Sequence, residues 1–214
     1  MTVPRATAPF VTFEGGEGAG KSTQLARLAQ RLRAAGVDPL ATREPGGTPG
    51  AEAIRQLLLD GAAEKWQPLA ELYLFLAARS DHVARVILPA VRAGRWVLCD
   101  RFADSTRVYQ GIAGGLGLDL VDRLQEPALA GLRPDLTVLL DLPAETGLRR
   151  RRTGGGDGRF EAKGLAYHAR IREGFRELAR REPDRFLVLD ATLAEEQLAD
   201  RIWREVCGRF GLGG

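Results

Sequence analysis

The chain alternates short, unbroken apolar runs with longer stretches in which apolar residues return every three or four positions. Unbroken β-prone runs read as strands buried on both faces, and the three-to-four spacing reads as helices with one buried stripe. The runs Phe10–Phe13, Val37–Thr42, Trp96–Cys99, Leu136–Leu142 and Phe186–Leu189 predict strands. Helical patterns cover Lys21–Ala35, Gly50–Leu59, Pro68–Ala93, Leu118–Leu129, Ala144–Arg152, Leu165–Arg181 and Ala194–Phe210. Such alternation predicts an α/β fold, a parallel sheet wrapped by helices. No linker or internal repeat divides the chain, so residues 1–214 are expected to form a single domain, a length that buries a proper core.

Composition narrows the classes only mildly. Hydrophobic content of 44% and charged content of 28% are those of an ordinary globular protein. Net charge is 31 − 28 = +3, too small to demand nucleic acid. A pI near 9.2 fits a protein that handles small polyanions, and equally an arginine-rich composition. There is no apolar run of about 18 residues and no apolar stretch in Met1–Pro9, so neither a membrane span nor a secretory signal is expected, and the location expected is cytoplasmic. Cys99 and Cys207 are too few and too far apart for a disulfide framework or a zinc site.

The first strand and first helix are joined by Gly15-Gly16-Glu17-Gly18-Ala19-Gly20-Lys21-Ser22, followed by Thr23. This spacing, G-x-x-x-x-G-K-[ST], wraps backbone N–H groups around phosphates, brings a lysine to the outer phosphates and offers a hydroxyl to Mg²⁺. The helix dipole adds to anion binding. In a chain with 26 glycines a glycine-rich turn could fit by chance, but lysine usage argues otherwise. Of 31 basic residues only Lys21, Lys65 and Lys163 are lysines, and one of these stands where a compact ammonium is needed.

Other candidates gather near strand ends. Thr42-Arg43-Glu44-Pro45-Gly46-Gly47-Thr48 follows the second strand, at the sheet edge where open α/β folds bind ligands. Asp100 and Arg101 end the third strand; the carboxylate suits Mg²⁺ or its water shell and the guanidinium suits phosphate, although a simple ion pair would look the same. Leu72, Phe75 and Arg79 share one helix face, a ring and a guanidinium suited to a planar base or to core packing with a surface charge. Thr106 and Gln110 repeat the one-turn spacing, with Tyr109 beside them. Residues 149 to 160 put Arg149, Arg150, Arg151, Arg152 and Arg159 around a glycine-rich stretch, the composition of a small mobile lid or of a solvated basic loop.

Taken in order, Phe13 through Thr23, Thr42 through Thr48, Phe75 through Arg79, Asp100-Arg101-Phe102, Tyr109-Gln110-Gly111, Arg133-Pro134-Asp135-Leu136-Thr137 and Arg159-Phe160-Glu161 resemble bacterial thymidylate kinases over nearly the whole chain. The resemblance implies the three-layer P-loop NTPase fold, a five-stranded parallel sheet flanked by helices, and phosphoryl transfer from ATP with Mg²⁺ to dTMP. Another small P-loop kinase, or a P-loop switch module, is the alternative. By the same resemblance Lys21 and the loop amides (Gly15, Gly16, Glu17, Gly18, Ala19, Gly20, Ser22, Thr23) bind ATP, and Ser22 binds Mg²⁺. Arg43 and Arg101 hold the dTMP phosphate, Glu17 meets the sugar 3′-hydroxyl, and Tyr109 packs by the 2′ carbon. Phe75 stacks on thymine, Arg79 bonds a base oxygen, and Thr106 and Gln110 approach the other edge. Because Gly18 stands where some members carry an arginine, the catalytic arginine is expected in the lid, at Arg152, with Arg150 and Arg159 in support. Members of the family are typically homodimers, and the Pro68–Ala93 helix is a plausible interface.

Overall fold

The computed structural model describes residues 8–62, 64–153, 159–160 and 163–212, with the backbone alone for residues 152 and 153. Five strands form one sheet: β1 (Phe10–Glu14), β2 (Leu40–Arg43), β3 (Val97–Asp100), β4 (Leu136–Asp141) and β5 (Phe186–Asp190). Their order is β2-β3-β1-β4-β5 and every neighbouring pair is parallel. β1 is buried at all five positions, which is why its sequence reads as a continuous apolar run rather than an alternation. The polar Thr12 tolerates this because its hydroxyl meets that of Thr137 on β4 at 2.9 Å.

Helices cover both faces. α1 (Lys21–Ala34) and α9 (Glu195–Phe210) pack Leu25, Leu28, Leu32, Leu198, Ile202 and Val206 against Val11, Phe13, Val138 and Leu140. On the other face α8 (Leu165–Arg181) brings Ile171, Phe175 and Leu178 against Leu139 and Phe186. The remaining helices are α2 (Pro49–Leu59), α3 (Pro68–His82), α4 (Leu88–Arg92), α5 (Ala103–Thr106), α6 (Leu118–Leu129) and α7 (Ala144–Thr153). The three-layer α/β architecture expected from the sequence is the one observed.

Three local expectations need correction. β2 starts at Leu40 rather than Val37, because Val37 closes the turn after α1 by donating to the Leu32 carbonyl at 2.9 Å. The single helix expected over Pro68–Ala93 is interrupted by a π-helical segment, Val83–Ile87, between α3 and α4. Pro89 lies in the first turn of α4; lacking an N–H and crowding the carbonyl four residues back, its ring favours such a widened turn. The third is α5 itself, which continues into a second π-helical segment, Arg107–Ala113, where only an isolated one-turn spacing had been anticipated.

The register sets the site. Arg43 on β2 and Phe13 on β1 both stand level with Asp100 on β3, so Glu14, Arg43 and Asp100 end at one sheet edge. β1 feeds the loop to α1 there, with β3 on one side of it and β4 on the other. Open α/β sheets place ligands in such a crevice.

Candidate active site

A cavity of about 680 Å³ opens over this edge. Its floor is the loop segment Glu17–Gly20 and the start of α1, which has no side-chain cap and no acidic residue in its first turn. The leading amides of that helix therefore remain available to an anion. Lys21 is buried and donates to the carbonyls of Gly15 (3.2 Å) and Gly16 (2.8 Å). Burial, and then the nearby Arg101, push its ammonium down to about 8. A cation held this far from water gains most when an anion arrives. Ser22 Oγ donates to Asp100 Oδ2 at 2.5 Å, bringing a hydroxyl and a carboxylate together at the mouth of the loop.

Gly18 and Gly147 pack against one another. A Cβ on Gly18 would stand 2.3 Å from the Gly147 carbonyl oxygen, and one on Gly147 would stand 2.2 Å from that of Glu17. Gly18 also has φ +66°, where side chains are disfavoured. The loop tip thus rests directly on the backbone of α7, and Gly147 fixes which face of α7 looks at the loop. Arg150 and Arg151 follow by three and four residues, on that same face, and both line the cavity. Arg150 donates to the Ala191 carbonyl at 3.2 Å. Placing an arginine at position 18 is expected to displace α7 rather than supply a catalytic charge. Gly18→Arg should lower kcat at least tenfold and destabilise the fold by more than about 1 kcal/mol, read by steady-state kinetics and thermal unfolding.

Arg101 is the hub of the cavity wall beside the loop. It takes the left-handed conformation, φ +68°, which turns its side chain back over the loop. Its Nη1 donates to the Gly15 carbonyl (3.1 Å) and Ser105 Oγ (3.2 Å), its Nη2 donates to Glu17 Oε1 (2.9 Å), and the guanidinium lies 5.0 Å from the Tyr109 ring centre. The Tyr109 hydroxyl donates to the same Glu17 oxygen at 2.9 Å. Burial alone would raise the Glu17 carboxyl, but Arg101, Lys21 and the Tyr109 hydrogen bond hold it down at about 2. Arg43 donates through Nη2 to both Glu52 oxygens at 3.0 Å. Arg55, which no sequence motif flagged, is half-buried beside it and donates to the Pro45 carbonyl at 2.7 Å. Burial and the adjacent positive Arg43 push Arg55 below the usual range. Arg43, Arg55 and Arg101 form a cluster of cations whose mutual repulsion an incoming anion would relieve.

The far end of the cavity is aromatic. Phe75 on α3 and Tyr109 each lie 6.1 Å from the Phe160 ring, and Leu59 completes the wall. Arg79 is buried, donating to Glu44 Oε2 at 2.8 Å and to Gln125 Oε1 at 3.4 Å. Thr106 and Gln110, both buried, line the same end.

The structure thus brings Glu17, Lys21, Ser22, Arg43, Phe75, Arg79, Asp100, Arg101, Thr106, Tyr109, Gln110 and Arg150 to one cavity. Arg159 is a correction: expected as a lid arginine beside the transferring group, it is buried beneath the aromatic end. Its Nη2 donates to Glu71 Oε2 at 2.5 Å, and its other donors reach the carbonyls of Ala62 (3.0 Å) and Leu58 (3.2 Å). A guanidinium so committed cannot swing to a phosphate without stranding a buried carboxylate. The Arg152 side chain and the glycine-rich stretch 154–158 lie outside the described residues.

Sequence reasoning also passed over Glu14. Fully buried, it accepts from Phe102 N (2.8 Å), Ser105 N (3.3 Å) and Ser105 Oγ (2.6 Å), capping α5 and steadying the hydroxyl that meets Arg101. Burial first, then Asp104, push its carboxyl up to about 7. Between the ordinary value of 4.5 and about 7 the folded protein keeps a proton that the unfolded chain releases. Stability contributed by this group is therefore greatest below pH 4.5 and falls, by roughly 3 kcal/mol, as the pH rises to about 7. Glu14→Gln should flatten that fall when urea unfolding is followed from pH 4 to pH 8.

The sequence matches the thymidylate kinase family over residues 13–202. It is 57% identical over 203 residues to the thymidylate kinase of Caulobacter vibrioides, covering 95% of this chain and 98% of that one. It is 51% identical over 204 residues to that of Bradyrhizobium diazoefficiens, covering 94% and 90%. The crystal structure of thymidylate kinase from Ehrlichia chaffeensis superposes with a TM-score of 0.75 at 31% identity, covering 93% of this chain and 98% of that one. Matched along nearly its whole length by these relatives, the chain belongs to the thymidylate kinase family.

Proposed function

We propose that the protein transfers the γ-phosphoryl group of ATP to dTMP, giving dTDP and ADP. The observation that carries this reading is one continuous cavity, which joins an anion cradle at the start of α1 to a second cation cluster and then to an end walled by Phe75, Tyr109 and Phe160. Two cation-lined regions with an aromatic end beyond the second suit a nucleoside monophosphate as acceptor.

Each end does separate work. At the donor end Lys21, the loop amides and the first turn of α1 hold the ATP phosphates. Ser22 and Asp100 fit Mg²⁺: they are hard oxygen ligands, few in number, as suits an ion that keeps most of its shell for water and phosphate. Held there, the ion would supply positive charge to the phosphates of the donor nucleotide. At the acceptor end Arg43, Arg55 and Arg101 hold the dTMP phosphate. Glu17, kept ionised by Arg101, accepts from the sugar 3′-hydroxyl while the Tyr109 ring crowds the 2′ position. Phe75 stacks on the base, Arg79 donates to a base oxygen, and Thr106 and Gln110 face the other edge.

Charge dominates the chemistry. An oxygen of the dTMP phosphate, already ionised near neutral pH, forms the new bond to the γ-phosphorus as the bond to the ADP oxygen breaks, so no strong general base is needed. The two approaching anions repel, and arginines of α7 screen them: Arg150 and Arg151 on the face that lines the cavity, with Arg152 as the candidate carried by the family resemblance. We place the enzyme in the cytoplasm as a homodimer. The second copy is assigned to α3, whose Leu69 and Tyr73 stand one turn apart and are 40% and 52% exposed.

The test is ADP release across dTMP, dUMP, dCMP, dGMP and shikimate with ATP and Mg²⁺. Highest kcat/KM for dTMP is expected; similar values across the nucleotides would overturn the reading.

A further inference from the structure

Gln110 does not stand alone at the aromatic end of the cavity. Its Nε2 donates to Glu71 Oε1 on α3 at 2.9 Å, within the buried interior. The second oxygen of Glu71 accepts from Arg159, whose remaining donors are fixed to the carbonyls of Leu58 and Ala62. Both carboxylate oxygens therefore act as acceptors, and only the NH₂ side of the Gln110 amide can face them. The amide is planar, so fixing its nitrogen fixes its oxygen. Gln110 Oε1 has no hydrogen-bond partner among the described residues, is not sealed from solvent, and belongs to a residue that lines the cavity.

We infer that Glu71 is the residue that sets base specificity, acting through Gln110: it locks the amide so that a carbonyl oxygen, never the NH₂, is presented to the base. This rests on the proposed reading of the site as a dTMP pocket. A lone carbonyl accepts the N3–H of thymine. It opposes the bare N3 lone pair of cytosine, just as the donor-only Arg79 suits a base oxygen and opposes an amino group. A free glutamine could rotate its amide and satisfy either base. Glu71 removes that freedom, with Arg159 holding the carboxylate in place. Arg159 thereby has a positioning role behind the pocket, which accounts for its burial.

Uracil offers the same N3–H and O4 edge as thymine, so the lock discriminates against cytosine and not against uracil. In Glu71→Gln the donor-only Arg159 draws the new amide oxygen and leaves its NH₂ facing Gln110, so Gln110 turns its oxygen inward and its own NH₂ toward the base. The ratio of kcat/KM for dTMP over dCMP is expected to fall at least tenfold, while the ratio for dTMP over dUMP and the KM for ATP stay within twofold. General structural damage would depress all acceptors together. Because Glu71→Gln leaves Arg159 buried without its carboxylate, the double variant Glu71→Gln/Arg159→Met is measured alongside it; removing both charges avoids an unpaired cation, and the same shift is expected. An unchanged dTMP/dCMP ratio in either folded variant overturns the role of Glu71. Absence of any dTMP preference in the unmodified enzyme would instead overturn the reading of the pocket.

Discussion

Alanine at both Arg150 and Arg151 is expected to lower kcat about 10³-fold or more, with the KM values for dTMP and ATP moving far less. Phosphoryl transfer leaves little covalent work to the protein, and a well-placed guanidinium between donor and acceptor contributes about 10³ to 10⁵ in rate. Its contact belongs to the transition state, so its loss appears in kcat. These two arginines are the ones that the Gly18–Gly147 contact turns toward the cavity. Arg152→Ala, measured separately by the same steady-state assay, divides the assignment: a comparable kcat loss in that single variant gives the role to Arg152. If the double variant kept kcat within tenfold and Arg152→Ala did the same, the neutralising charge would have to come from outside α7, from Lys21, the Arg43, Arg55 and Arg101 cluster and the metal ion.

Arg101→Ala is expected to be the most damaging single change on the acceptor side, lowering kcat/KM for dTMP by about 10² to 10³. One guanidinium there holds Glu17 and Ser105, spans the loop at Gly15 and, in the proposed reading, meets the acceptor phosphate. Removing it leaves the half-buried Glu17 carboxylate with the Tyr109 hydroxyl as its one hydrogen-bond donor among the described residues, which costs about 1 to 3 kcal/mol of stability. Thermal unfolding and kinetics separate the two losses. Arg101→Lys retains the charge without the planar fork, so it should restore most of the stability and little of the kcat/KM. Full kinetic recovery with lysine would show that a point charge suffices.

The legible part of this chain was the part in which function and local structure coincide. The loop Gly15–Ser22 could be recognised because its backbone and its chemistry are the same feature: consecutive glycines between a buried strand and a helix. Asp100 and Arg43 stand out in sequence through their position at strand ends, and the register sets them level with one another. Arg55 and Glu14 gave no signal, since a helical arginine or a glutamate after a strand has many other uses, and Arg151 could not be told from its neighbours in the arginine run. The π-helical segments were illegible too, because a widened turn shifts the apolar stripe by only one residue. Arg159 was misjudged for a related reason: five arginines near one glycine-rich stretch look alike in sequence, and only burial against Glu71 sets one apart.

The sequence by itself determined the strand and helix alternation, the phosphate loop and the family, because those depend on local spacing and on short-range backbone requirements. What only the tertiary structure decided were the long-range pairings: Gly18 with Gly147, Glu17 with Arg101 and Tyr109, and Gln110 with Glu71 and Arg159. Each joins segments far apart in the chain, and it is burial in a shared interior that turns an ordinary charged or polar residue into one with a fixed partner and a fixed orientation.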